Sequence, residues 1–258
     1  MENKLKESQY PIIGVIGGLG PYAGLDFVSK IFSNTKAVKD QDHLDCLLVS
    51  CPGIIPDRMT YLLSQEGENP AYGMFESAKR LHAAGVRYAS VACNTAHGGL
   101  IFSLFCEMVK ESLPGLTIVN MLETCAAYCK NKKRLGLLAT IGTHNTRLYQ
   151  EYFNANDNYE LLEPDDQGKK SIHEAIFNEN FGIKAHSYNI KSEARERIRE
   201  EINNFIKKGA EAVILGCTEL PLAVDPSEFS IPLIDPGLLT ARKLIELAAP
   251  EKLKEVIS

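Results

Sequence analysis

The chain has 258 residues, 45% of them apolar and 24% charged, the balance of a folded globular protein rather than of a disordered, collagen-like or membrane-embedded one. Its 28 basic residues against 33 acidic ones leave a net charge of −5. With no basic block, a nucleic-acid partner is excluded, whereas an anionic small molecule needs only one or two well-placed cations.

In chain order, Met1 to Tyr10 is charged and polar and leads into the short apolar stretch Ile12 to Gly20. That stretch is too short for a secretory leader or for a membrane span of about 20 apolar residues, so no membrane partner is expected. Seven cysteines at irregular spacing read as free thiols of a reducing compartment, and the expected location is the cytoplasm. Candidate strands are Ile12–Ile16, Cys46–Ser50, Tyr88–Ala92, Thr117–Val119, Arg134–Ala139, Tyr159–Leu162, Ala212–Leu215 and Ile231–Ile234. Candidate helices between them include Ala71–Ala84, Leu100–Lys110, Glu193–Lys207 and Leu238–Ala248. The polar stretch Glu163 to Lys170 reads as a mobile surface loop. Continuous Val/Ile/Leu runs alternating with helical periods predict an α/β fold with parallel sheet covered on both faces.

An internal repeat sharpens that expectation. The segment ending Gly85-Val-Arg-Tyr-Ala-Ser-Val-Ala-Cys93-Asn-Thr matches Gly209-Ala-Glu-Ala-Val-Ile-Leu-Gly-Cys217-Thr-Glu, the glycine standing eight residues before the cysteine in both. Upstream, Ile13-Gly14-Val15-Ile16 pairs in pattern with Leu135-Gly136-Leu137-Leu138. The repeat predicts two similar lobes, each a parallel sheet flanked by helices and related by a pseudo-twofold. The expected division is residues 1–116 plus 230–258 for the lobe of Cys93, and 117–229 for the lobe of Cys217. Each cysteine then sits at the carboxyl end of a parallel strand, where open α/β sheets bind ligands. A helix beginning at Asn94 and Thr95, or at Thr218 and Glu219, would favour a thiolate and a substrate carboxylate alike.

The Gly17-Gly18-Leu19-Gly20-Pro21-Tyr22-Ala23 turn carries the glycine spacing of a dinucleotide site. No carboxylate ends the second strand, which runs Val49-Ser50-Cys51-Pro52, and Pro21 removes an amide from the turn. A turn whose amides at Leu19 and Gly20 hold a small carboxylate fits better, and no cofactor is called for. Metal binding is weak. Cys125 and Cys129 stand four apart, as do Cys93 and His97, but neither has the second pair that a structural zinc site needs. Cys125 and Cys129 read as packing residues, and His97 as a group able to orient or polarise Cys93, in the extreme as a hydrolase dyad. Arg58, in a Pro-bounded Asp57-Arg58 loop, lies at the same sheet edge as Cys93. Lys184 lies beyond the polar stretch of the second half.

With Pro56-Asp57-Arg58, Cys93-Asn94-Thr95-Ala96-His97, Gly182-Ile183-Lys184-Ala185 and Leu215-Gly216-Cys217-Thr218-Glu219 in this order, the chain resembles the aspartate/glutamate racemase superfamily of cofactor-independent amino-acid racemases, in its aspartate racemase branch. The resemblance implies two catalytic cysteines, Cys93 and Cys217, at a site between domains. It also implies a homodimer, an acidic amino acid as the small-molecule partner, and Arg58 and Lys184 facing the substrate's acidic side chain. Two departures stand out. The first turn lacks the Asp-Ser-Gly of cell-wall glutamate racemases, and Cys51-Pro52 replaces the Asn-Pro common after the second strand. The chemistry suits the residues: racemisation removes the Cα proton from one face and returns one to the other, which calls for two acid/base groups flanking the carbon. Asn94, Thr95, Thr218 and neighbouring amides would stabilise charge building on the α-carboxylate, with Glu219 beside them.

Overall fold

The computed structural model describes residues 9–153 and 159–255; the segment Met1 to Ser8, read above as no leader, lies outside them. Strands β1 (Ile12–Gly17), β2 (Cys46–Ser50), β3 (Val86–Val91) and β4 (Thr117–Val119) form one sheet in the order β2-β1-β3-β4. Strands β5 (Arg134–Leu138), β6 (Glu160–Leu162), β7 (Ala212–Leu215) and β8 (Leu233–Ile234) form a second in the order β6-β5-β7-β8. Every strand pair is parallel. Adding four to each strand of the first sheet gives the second, which is the pseudo-twofold that the repeat foretold.

Ten helices among the described residues cover the sheets: α1 (Pro21–Asn34), α2 (Arg58–Ser64), α3 (Pro70–Ala83), α4 (Gly99–Ser112), α5 (Met121–Cys129), α6 (Ile141–Asn145), α7 (Leu148–Phe153), α8 (Asp166–Phe177), α9 (Ser192–Lys207) and α10 (Pro236–Ala248). None is long and apolar enough to cross a membrane. The repeated glycines have a mechanical role. Gly85 and Gly209 stand just past the ends of α3 and α9 with φ of 82° and 78°, the left-handed conformation that stops a helix and that glycine adopts without a Cβ penalty. Each helix thereby turns into the buried strand that ends two residues before its cysteine.

The two halves exchange their last helices. On one sheet, Ile13 and Val15 of β1 pack with Phe27 and Ile31 of α1 and with Ala241, Leu244 and Ile245 of α10. On the other, Leu135 and Leu137 of β5 pack with Leu122, Cys125 and Cys129 of α5 and with Tyr149 and Phe153 of α7. Helix α5 thus leaves the first sheet to cover the second, α10 does the reverse, and the two touch where they cross.

Hydrogen bonding redraws the expected lobe division at its strands. Boundaries at 117 and 230 put the two crossing helices with the cores they enter, but they cut β4 from β3 and β8 from β7. The stretch Glu163 to Lys170 is corrected in its second part: Glu163 to Asp165 lie outside any helix, and Asp166 to Lys170 begin α8. Asp165 accepts the Gly168 N–H at 2.8 Å and caps α8, satisfying a donor that the first turn would otherwise leave open.

Candidate active site

The carboxyl ends of the two sheets face one another across a single small cavity. Cys93 and Asn94 follow β3, Cys217 and Thr218 follow β7, and all four line it. Leu19 comes from the turn after β1, Arg58 from the first turn of α2, and Thr95, Lys184 and Glu219 complete the set foreseen from sequence. Gly20 is absent from the lining but abuts it: a Cβ built there would overlap Glu219 Oε1. The free space is about 20 Å³, room for one water.

Two cations converge on one oxygen. Arg58 donates from Nη2 to the Leu19 carbonyl at 2.8 Å and from Nη1 to the Pro56 carbonyl at 3.2 Å. Lys184 Nζ reaches the same Leu19 carbonyl at 3.4 Å. The chain after α8 folds back onto it, Ile183 and Lys184 donating their N–H groups to the Ala175 and Ile176 carbonyls. This return carries Lys184 over the Phe177 ring, 5.6 Å from its centroid. The Leu19 carbonyl thus orients both cations, beside the amide that the sequence singled out.

Glu219 is the main surprise of the site. Its carboxylate is ion-paired with Lys184 and accepts a hydrogen bond from the Cys217 thiol at 3.0 Å. Burial and this neighbouring carboxylate push the Cys217 thiol well above its ordinary range, with Lys184 pulling the other way. Burial works against the Lys184 ammonium, yet Glu219 prevails and raises its pKa. The thiolate-favouring helix expected after Cys217 is not there; the chain makes only a short 3-10 turn, Leu220–Leu222. After Cys93 a similar turn, Thr95–His97, precedes α4.

His97 does not address the Cys93 sulfur. Its Nδ1–H donates to the Cys93 carbonyl at 2.9 Å, and its Nε2 accepts the Met121 N–H at 3.3 Å. Burial lowers its pKa to about 4, so a neutral ring ties the Cys93 turn to the start of α5. A Cys–His hydrolase dyad does not fit this arrangement. Cys125 and Cys129 lie buried in the core. Cys51 stands outside the lining, its sulfur 2.6 Å from Arg80 Nη1.

Sequence reading missed Asp57, Met59, Thr140 and Phe177 of the lining. Thr140 was within reach, because it follows β5 as the glycine turn follows β1. Tyr149 and Thr143 carried no such signal. Tyr149 donates its hydroxyl to Asn94 Oδ1 at 2.6 Å, and Thr143 Oγ1 lies 3.4 Å from Thr95 Oγ1.

The model of the Asp/Glu/hydantoin racemase family matches residues 16–244. An aspartate racemase from Picrophilus torridus has a similar structure, with a TM-score of 0.77 at 30% identity, covering 95% of this chain and 96% of that one. The broad-specificity amino-acid racemase RacX of Bacillus subtilis is 24% identical over 91% of this chain and 96% of its own length. An uncharacterised protein of Pectobacterium carotovorum subsp. carotovorum is 36% identical over 37% of this chain, a match spanning 58% of that protein's length.

Proposed function

The chain belongs to the Asp/Glu/hydantoin racemase family, and on that premise we propose that it interconverts L- and D-aspartate by a two-base reaction between Cys93 and Cys217. The observation that carries the reading is the pair of cysteines lining one cavity together with two cations. The sulfurs come from equivalent strand ends of pseudo-symmetric lobes, so they can flank one carbon from opposite sides. One thiolate takes the Cα proton, the other thiol returns a proton to the opposite face, and the roles reverse with the other enantiomer. Following the family resemblance, Cys93 is the base for D-aspartate and Cys217 for L-aspartate.

The resting site suits the D-to-L direction, because Cys217 already holds a proton. A thiol of ordinary pKa near 8.5 costs about 2 kcal/mol to ionise at pH 7. A carbanion is the harder problem. Asn94, Thr95 and Thr218 supply donors toward an α-carboxylate whose charge grows as the proton leaves. Arg58 and Lys184 receive the side-chain carboxylate, which displaces Glu219 from Lys184. No step calls for pyridoxal phosphate, since the two sulfurs and these donors cover proton transfer and charge.

Full-length similarity to the broad-specificity RacX favours a second reading, in which glutamate is accepted as well. One experiment addresses both: incubate L-aspartate and L-glutamate in deuterated water and follow deuterium at Cα and the appearance of the D-enantiomer. Wild-type protein should exchange and racemise aspartate, and Cys93→Ala and Cys217→Ala should each lose racemisation. Near wild-type racemisation by either variant removes the two-base scheme. Binding without any Cα exchange makes the chain a bilobed amino-acid-binding protein.

A further inference from the structure

We propose that Tyr149 is a positioning residue, which locks the Asn94 side-chain amide with its N–H groups turned into the cavity to receive a substrate carboxylate. The inference rests on the reaction proposed above and adds a residue from the opposite lobe to it.

Tyr149 lies on α7, packed in the second lobe, and it is the largest fully buried side chain among the described residues. Its hydroxyl is 2.6 Å from Asn94 Oδ1, comfortable for an O–H···O bond and short for an N–H···O one. That separation sets the amide's orientation: the oxygen faces the phenol and the nitrogen faces away. The phenol is a dependable donor, because burial keeps it protonated far above neutral pH. Asn94 itself is 2% exposed and lines the cavity, while its Nδ2 has no hydrogen-bond partner among the described residues. A buried donor left open at a ligand cavity is paired when an acceptor arrives, and a carboxylate is the acceptor that the neighbouring cations select.

The rest of this face supports a positioning role. Tyr152, one turn further along α7, donates its hydroxyl to the His97 carbonyl at 3.3 Å, and Thr143 of α6 meets Thr95. Helices α6 and α7 of one lobe thus hold the turn that follows Cys93 in the other. Only the Tyr149 hydroxyl, however, determines which end of the amide the substrate meets.

The test is a double-mutant cycle on racemisation of aspartate, with Tyr149→Phe, Asn94→Ala and the pair, and with thermal denaturation of each variant. Phenylalanine keeps the buried ring and removes one oxygen. Tyr149→Phe should lower kcat/KM about ten- to a hundredfold, mainly through KM, and the double variant should be no worse than Asn94→Ala alone. Losses that add in the double variant, or an unchanged Tyr149→Phe, overturn the proposal. Asn94→Asp gives an independent reading should Tyr149→Phe not fold. It sets an acceptor where the donor should be, so its KM should exceed that of Asn94→Ala; a KM equal or lower overturns the proposal. Wild-type protein that exchanges no Cα proton sinks the reaction and this inference together, whereas wild-type exchange with an indifferent Tyr149→Phe sinks the inference alone.

Discussion

Within the site, burial first and Glu219 second hold the proton on Cys217. Glu219 stands between the Lys184 ammonium and the Cys217 thiol, so its charge opposes ionisation of Cys217 and lowers the cationic field offered to a substrate. Replacing Glu219 by Gln keeps the shape, removes that charge and leaves Lys184 to favour the thiolate. The rate of Cys217 alkylation by iodoacetamide at pH 7, followed by peptide mass mapping, should rise about tenfold for each pKa unit recovered; an unchanged rate would show that burial alone holds the proton. His97 gives a second prediction. Its folded pKa is about 4 against an ordinary 6.5, so the unfolded chain binds the extra proton first as pH falls. The neutral ring's contribution is complete above about pH 6.5 and lost by about pH 4, roughly 3 kcal/mol at most. Urea unfolding between pH 7 and pH 4.5 should show this slope, and His97→Gln should flatten it while lowering stability at pH 7. Both cysteines were legible in sequence because strand-end chemistry repeats locally. The Glu219–Lys184 pair and the Tyr149–Asn94 bond were not, since each joins residues far apart in the chain that no spacing rule links.

Among the elements, the apolar runs located all eight strands to within about two residues: the central β1, β3, β5 and β7 are mostly buried on both faces and so mostly apolar, and the more exposed edge strands carry the same short apolar runs. Sheet membership was another matter. A three-residue β4 and a two-residue β8 carry no signal of which neighbour they will pair with, and the pairing partners alone assign them. Asp166 to Lys170 differ from expectation for a related reason: polarity suggests a loop, but the capping Asp165 turns these residues into the start of α8. The exchange of α5 and α10 has an energetic consequence. Leu244 of α10 is fully buried against β1 and α1, although its helix is reached through β8 of the other sheet. Leu244→Ala should cost about 2–5 kcal/mol. Because each lobe's core includes the other's helix, calorimetry should still record one unfolding transition and not two. A separate low-temperature transition for one lobe would contradict the exchanged packing as the source of cooperativity.

For the molecule as a whole, the constraint is that the cavity holds about 20 Å³, and an amino acid is several times larger than the one water this admits. A substrate of that size needs more room than the cavity gives, so on the proposed reaction the lobes part to admit it, Lys184 leaves Glu219, and the cleft closes again around the ligand. On the proposed racemisation of aspartate the enantiomers have equal free energy, so kcat/KM must be the same from the L- and D-sides in every variant, Glu219→Gln included. Any asymmetry between Cys217, held as a thiol, and Cys93 can emerge only in kcat and KM taken separately. On that reading opening and reclosing occupy every cycle in both directions, which makes them the step most exposed to solvent friction. The corresponding expectation is that kcat falls in proportion to relative viscosity when sucrose is added, from either enantiomer, with a weak primary isotope effect from α-deuterated aspartate. A kcat indifferent to sucrose and a full isotope effect would put the slow step at the sulfur atoms instead, and would mean that the lobes part faster than a thiolate removes a proton.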